Sequence, residues 1–231
     1  MQMMLLATLY AVLTVGVYVV MNWVYVKYRR DFLFPILTSS AIIIITLVLF
    51  NIPYETYMTG GKWIDILLGP AIVSLAIPLY KQRDLLKQYL FPIIGGVIVG
   101  VFVGMISGVF FAKIFGFPKD IVMSILPKSI TTPIAIQITQ SLGGYASLSA
   151  AFVMIAGFSG ILFGRIFLKW IRIDSPTGIG IGFGAAAHAL GTSKAIEIGE
   201  QEGSMSSVAM TLCAVVGSII GPIIAWIFYL G

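Results

Sequence analysis

Two short stretches concentrate the side chains that could do chemistry. The first is Leu126-Pro-Lys-Ser-Ile-Thr-Thr-Pro-Ile-Ala, where Lys128 supplies a cation and Ser129, Thr131 and Thr132 supply hydroxyls. Thr132 reads as a helix N-cap with Pro133 as the first helical residue. The second is His188-Ala-Leu-Gly191-Thr192-Ser193-Lys194, whose Gly191-Thr192 opens a helix in the same way. A helix opening leaves unpaired backbone N–H groups and a partial positive charge. Such openings bind carboxylates and phosphates. Two of them opposed at mid-membrane would suit a small organic anion; two ordinary caps at the membrane interface would read the same way.

Each polar residue carries a second reading. Lys128 either faces a ligand inside the membrane, where an ionised group marks a functional site, or snorkels to the interface. Lys194 either meets the ligand or pairs with Glu197 or Glu200 one turn on. His188, the single histidine, could carry a coupling proton because it titrates near neutrality, or it could be a hydrogen-bonded packing residue. Glu197, Glu200 and Glu202 could form a proton or cation path, or a solvated face. The alternating Gly178, Gly180, Gly182 and Gly184 lack the strand and the G-K-[ST] ending of a phosphate loop, so they read as close packing or a hinge. No catalytic constellation and no metal motif appears, so the expectation is a protein that is not an enzyme and needs no cofactor.

The elements that position these residues must lie in a bilayer. Of 231 residues, 59% are hydrophobic and only 10% charged, against about 25% charged in soluble domains. Mean hydropathy is +1.03. Several uncharged runs exceed the roughly 20 residues that cross a hydrocarbon core. Backbone groups in lipid must pair within their own segment, so the spans are helices. The chain is expected to be an all-α polytopic membrane protein. The first run has neither a basic n-region nor a small-residue cleavage site before Lys27-Tyr28-Arg29-Arg30 and reads as a retained helix. The single cysteine, Cys213, excludes a disulfide framework. The net charge of +5 sits at helix ends with no aromatic interleaving, which gives no support to nucleic-acid binding.

Lys27/Arg29/Arg30, Lys81/Arg83/Lys87 and Arg165/Lys169/Arg172 hold nine of the fourteen basic residues. Placed together on the cytoplasmic side, they set six full spans, with both termini outside. Spans are expected for helix 3 over residues 63–80, helix 4 over 89–112, helix 5 over 145–170 and the last over 204–229. Gly69-Pro70 and Pro78 should break or kink helix 3, which would help to line the site. Residues 118–144 and 175–203 are left as two re-entrant or broken-helix segments that dip in and return. A shift of 60 residues sets residues 97–150 against 157–210 with ten identities over 54 positions, clustered at Thr132 and Thr192. Helices 4 and 5 run oppositely on this topology, so the repeat is inverted, as in many secondary transporters. The chain is read as one integral membrane domain, with scaffold helices over residues 1–60 and a broken-helix transport core over 61–231.

Three stretches carry a family resemblance: residues 67–82 (LLGPAIVSLAIPLYKQ), 126–144 (LPKSITTPIAIQITQSLGG) and 180–203 (GIGFGAAAHALGTSKAIEIGEQEG). Through them the chain resembles the CidB/LrgB family over nearly its whole length. The resemblance implies one of two functions. One is carriage of small monocarboxylates, since plastid relatives are similar to glycolate/glycerate translocators and bacterial ones are linked to pyruvate. The other is holin- or antiholin-like control of murein hydrolases and lysis. It also implies a separate small membrane partner of the CidA/LrgA type, because plastid forms fuse that half onto the same chain. The expectation is a secondary transporter in the bacterial plasma membrane, present as a homo-oligomer, with a dimer as the simplest form. No helix shows the continuous polar stripe that an oligomeric pore would need.

Overall fold

The computed structural model describes residues 2–74 and 76–229. All regular structure among them is helical. The chain forms two compact units, Met1–Ala71 and Ile72–Gly231.

In the first unit, α1 (Gln2–Tyr28) leads through a 3₁₀ turn, Asp31–Leu33, to α2 (Pro35–Leu49) and then α3 (Tyr54–Asp65). Gly60 of α3 lies against Ala7 and Tyr10 of α1, and Thr14 shares a 2.8 Å hydrogen bond with the Tyr57 hydroxyl. The order of these pairs makes α1 and α3 antiparallel. Most of α1 is apolar all round and exposed, as a lipid-facing helix requires. The expected scaffold boundary near residue 60 falls inside α3.

The expected third span is broken up. After α3 come α4 (Leu68–Ser74), α5 (Ala76–Lys81) and α6 (Arg83–Gln88). Gly69-Pro70 sits in the first turn of α4, where proline removes no needed N–H. Leu75, between α4 and α5, and the Pro78 side chain lie outside the described residues.

The second unit is built on α7 (Leu90–Ile114), α8 (Lys119–Ile125), α9 (Thr132–Ser141), α10 (Ala146–Trp170), α11 (Pro176–Ile198) and α12 (Glu200–Tyr229). Helices α1, α7, α10 and α12 are long and apolar enough to cross a membrane, and α2 is a shorter apolar helix. Lipid tails are as apolar as leucine, so hydrophobicity cannot hold these helices together; close approach of small residues can. Gly96 faces Ile181 and Gly100 faces Ala185, so α7 and the first half of α11 run in the same sense. Gly160 faces Ala187 and Gly164 faces Phe183, so α10 runs against that half. Helices α7 and α10 are therefore antiparallel. This brings Lys81/Arg83/Lys87, before α7, and Arg165/Lys169/Arg172, ending α10, to one end of the unit.

Both segments expected to dip and return do so. Helix α8 runs back along α7, with Ile125 and Lys128 against Gly108 and Ser129 against Gly104. Helix α9 then returns, so that Tyr145 N donates to Ser124 Oγ at 2.8 Å. In the other segment, Gly191 lies against Phe183 O and Ala187 Cβ. Residues eight apart on a straight helix stand about 12 Å apart, so α11 is a hairpin of residues 176–187 and 189–198. Its tip is His188, at φ 43° and ψ −133°. Helix α12 packs on this hairpin and on α7, and 56% of its most apolar window is buried.

Candidate functional site

The tips of the two hairpins lie at similar depths. Ser129 rests on Gly104, ten residues from the Ile114 end of α7. At 1.5 Å per residue that is roughly 15 Å, half of a hydrocarbon core about 30 Å thick. His188 touches Gly157, eleven residues into α10, which is also near the midplane.

At the first tip, Lys128 Nζ donates to the Gly104 carbonyl and, at 3.5 Å, to Ser107 Oγ. Ser129 is only 7% exposed, and its hydroxyl has no hydrogen-bond partner among the described residues. Both residues line a cavity of about 830 Å³ between α7, α10 and the first half of α11. Its walls are mainly Val99, Val103, Ala156, Ile181 and Ala185. Lys128 is the one charged side chain among the described residues lining it. The cavity extends to Tyr89, Ser175 and Thr177 at the basic end of the unit. Ser175 caps α11 by accepting from Gly178 N at 3.2 Å.

The second tip is closed. His188 is 2% exposed, and its Nε2 is 3.0 Å from the Val153 carbonyl of α10. Thr192 Oγ1 donates to His188 O at 3.0 Å and lies 2.9 Å from Ser206 Oγ on α12. Ser193 donates to Ala189 O at 3.2 Å, and Lys194 pairs with Glu197 at 3.2 Å. Glu200 is exposed in the first turn of α12.

Of the expected site residues, then, the structure brings Lys128 and Ser129 to the cavity. Two details of the openings are corrected. Thr131, not Thr132, is the N-cap of α9, with φ −57° and ψ 137°, and its side chain makes no capping hydrogen bond. Pro133 follows as the second residue of α9. The second opening is at His188 rather than Gly191-Thr192, because Gly191 is needed further along, where the returning half crosses Phe183. Thr192 is therefore a bonded residue inside the returning helix. Among the described residues, none of α4, α5 or α6 lines the cavity.

Gly96, Gly100 and Gly104, which floor the cavity along α7, were not anticipated. Their four-residue spacing was the available signal. A second signal lay in the 60-residue register: it also sets Lys128 against His188. Each of these residues sits at a hairpin tip and reaches back to a carbonyl of the long helix preceding it.

Outside the spans, the Tyr145 hydroxyl donates to Asp120 and holds its pKa below the usual carboxylate value. The same bond and the adjacent negative charge push the Tyr145 pKa up.

These features define an all-helical, multi-pass membrane protein with two helical hairpins meeting a mostly apolar cavity. The chain belongs to the LrgB-like family, whose model matches residues 14–227. It is 54% identical over 230 residues to the uncharacterized protein YxaC of Bacillus subtilis (strain 168), covering all of both chains. It is 36% identical over 223 residues to the holin-like protein CidB of Staphylococcus aureus (strain N315), covering 96% of this chain and 97% of that one. It is 37% identical over 210 residues to the uncharacterized protein YwbG of Bacillus subtilis (strain 168), covering 91% and 93%. No solved structure matches it.

Proposed function

We propose that this chain is a secondary carrier of small monocarboxylates, of the pyruvate, glycolate or glycerate class, that works by alternating access. The observation that carries this reading is the pairing of Lys128 with the buried, unpartnered Ser129 hydroxyl at the tip of a hairpin and the end of a cavity. An ionised group at that depth is costly unless it has a role, and an unpaired buried hydroxyl costs about 1–3 kcal/mol. A carboxylate would satisfy both at once. The antiparallel α7 and α10, each followed by a hairpin, support an inverted repeat with its site near the midplane. With the basic end cytoplasmic, the cavity faces inward and both termini lie outside. The cargo passes unchanged, the assembly is a dimer, and a small CidA/LrgA-type membrane protein is the partner.

The test is counterflow of labelled pyruvate and glycolate in proteoliposomes. The wild type is expected to show saturable, counter-stimulated uptake, with Lys128→Met at least tenfold slower at equal folded protein. Uptake that is absent with and without the small partner would sink the reading.

A second reading is favoured by the holin-like name of the Staphylococcus aureus relative: a regulator of lysis acting with the small partner. That reading expects release of an entrapped dye on reconstitution of the pair, and no dependence on Lys128.

A further inference from the structure

The hydrogen-bonding groups at the first tip can be counted one by one. An ammonium has three donors and no acceptor, and a serine hydroxyl has one donor and two acceptor positions. Lys128 Nζ spends two donors, on the Gly104 carbonyl and on Ser107 Oγ, so one is left for a ligand. Ser129 spends nothing among the described residues. Its oxygen rests on Gly104, which has no side chain to hold it. One rotamer step turns it into the cavity that the residue lines. The other polar side chains lining the cavity, Tyr89, Ser175 and Thr177, stand at its far end. Tyr89 is fifteen residues from Gly104 along α7, which is about 22 Å. Near the tip, Val99, Val103, Ala156 and Ala185 offer an oxygen nothing to bond.

This count separates three kinds of acid. A bare carboxylate takes up both free donors and leaves the acceptor positions of Ser129 unused in apolar surroundings, which is unfavourable. A 2-oxo acid adds another acceptor, which competes for the same two donors. A 2-hydroxy acid adds a donor on the carbon beside the carboxylate, where the Ser129 oxygen is already in reach. We propose that Ser129 is the specificity-determining residue of the site. It donates to the carboxylate held by Lys128 and accepts from a 2-hydroxyl, so that 2-hydroxy acids are preferred to their 2-oxo and unsubstituted counterparts. The inference rests on the carrier reading and narrows its substrate class. Lys128 supplies the charge that holds all three acids, and Ser129 tells them apart.

The experiment is calorimetric binding of lactate, pyruvate and propionate, three acids that differ only at carbon 2, to the full chain in nanodiscs. It is paired with counterflow of the same acids. Lactate should bind at least fivefold better than either of the others, the equivalent of about 1 kcal/mol and the net worth of one hydrogen bond. Glycolate should exceed methoxyacetate by a similar factor, because the methyl ether keeps the oxygen and loses the donor. Ser129→Ala should bring lactate, pyruvate and propionate within twofold of one another, while Lys128→Met should weaken all three alike. Pyruvate or propionate binding and exchanging as well as lactate in the wild type would overturn the proposal and leave the carrier reading standing. So would a preference for lactate that survives in folded Ser129→Ala. Failure of every acid to bind or exchange would overturn both.

Discussion

The two hairpins of the second unit share an outline and differ in how their polar groups are used. In the α8–α9 hairpin the tip spans several residues, the Ser129 hydroxyl is unpartnered, and Lys128 faces a cavity. In α11 a single residue makes the turn, and His188, Thr192 and Ser193 are all hydrogen-bonded within the protein. A tip with unsatisfied groups can gain by binding. A tip whose groups are already paired can only lose by it.

The sharpest way to break this contrast is at the glycines. A Cβ on Gly184 would run into backbone atoms of Ser206 and Met210, which cannot move without shifting α12. A Cβ on Gly104 would meet the Ser129 side chain, which can rotate. Gly184→Ala should therefore cost about 1–3 kcal/mol or prevent folding, while Gly104→Ala folds and loses ligand affinity. Melting in detergent, monitored by fluorescence-detected size exclusion, separates the two.

A smaller effect is expected at the hydroxyls. Thr192→Ala removes a bonded hydroxyl and strands Ser206, so it should destabilise by about 1 kcal/mol. Ser129→Ala removes an unpartnered one and should leave stability equal or higher, with ligand affinity reduced. The reverse order in thermal melts would mean that the unsatisfied group has been put in the wrong hairpin.

At His188 the positive φ favours glycine, and non-glycine residues held in such regions cost of order 1–3 kcal/mol. Both His188→Gly and His188→Ala lose the Val153 bond, but only glycine relieves the backbone. The glycine variant should be the more stable by about 1 kcal/mol, as read from paired melts.

The smallest effect is outside the spans. Asp120 has its folded-state pKa depressed below the ordinary 3.8 by Tyr145. Its contribution is therefore present above about pH 4 and lost as pH falls through the lowered value. Acid melts of Asp120→Asn should lack that part of the wild-type dependence.

The membrane class, the basic end and both hairpins were legible because composition, charge placement and the clustering of Gly, Pro and hydroxyl residues are local properties. The position of the second tip was not. Gly191-Thr192 looks like a helix opening, and only the crossing of the returning half over Phe183 makes the glycine necessary there and moves the turn to His188. The third span failed as a continuous helix for a similar reason. Of the residues 63–80 expected to form it, 63–65 end α3, which packs on α1, and the described residues that follow form α4 and the start of α5. The cavity was invisible because it depends on which faces of α7, α10 and α11 meet.

Gly96, Gly100, Gly104 and Gly108 give α7 a face that repeats every four residues. Ile181 and Ala185 ride on the first two. Moving α11 by one turn, about 5.4 Å, would set Ile181 over Gly100 and Ala185 over Gly104, with glycine beneath each again. Such a face offers the two residues a second register with the same small-residue contacts. The track has a buffer at one end, because Ser129 already fills the Gly104 step.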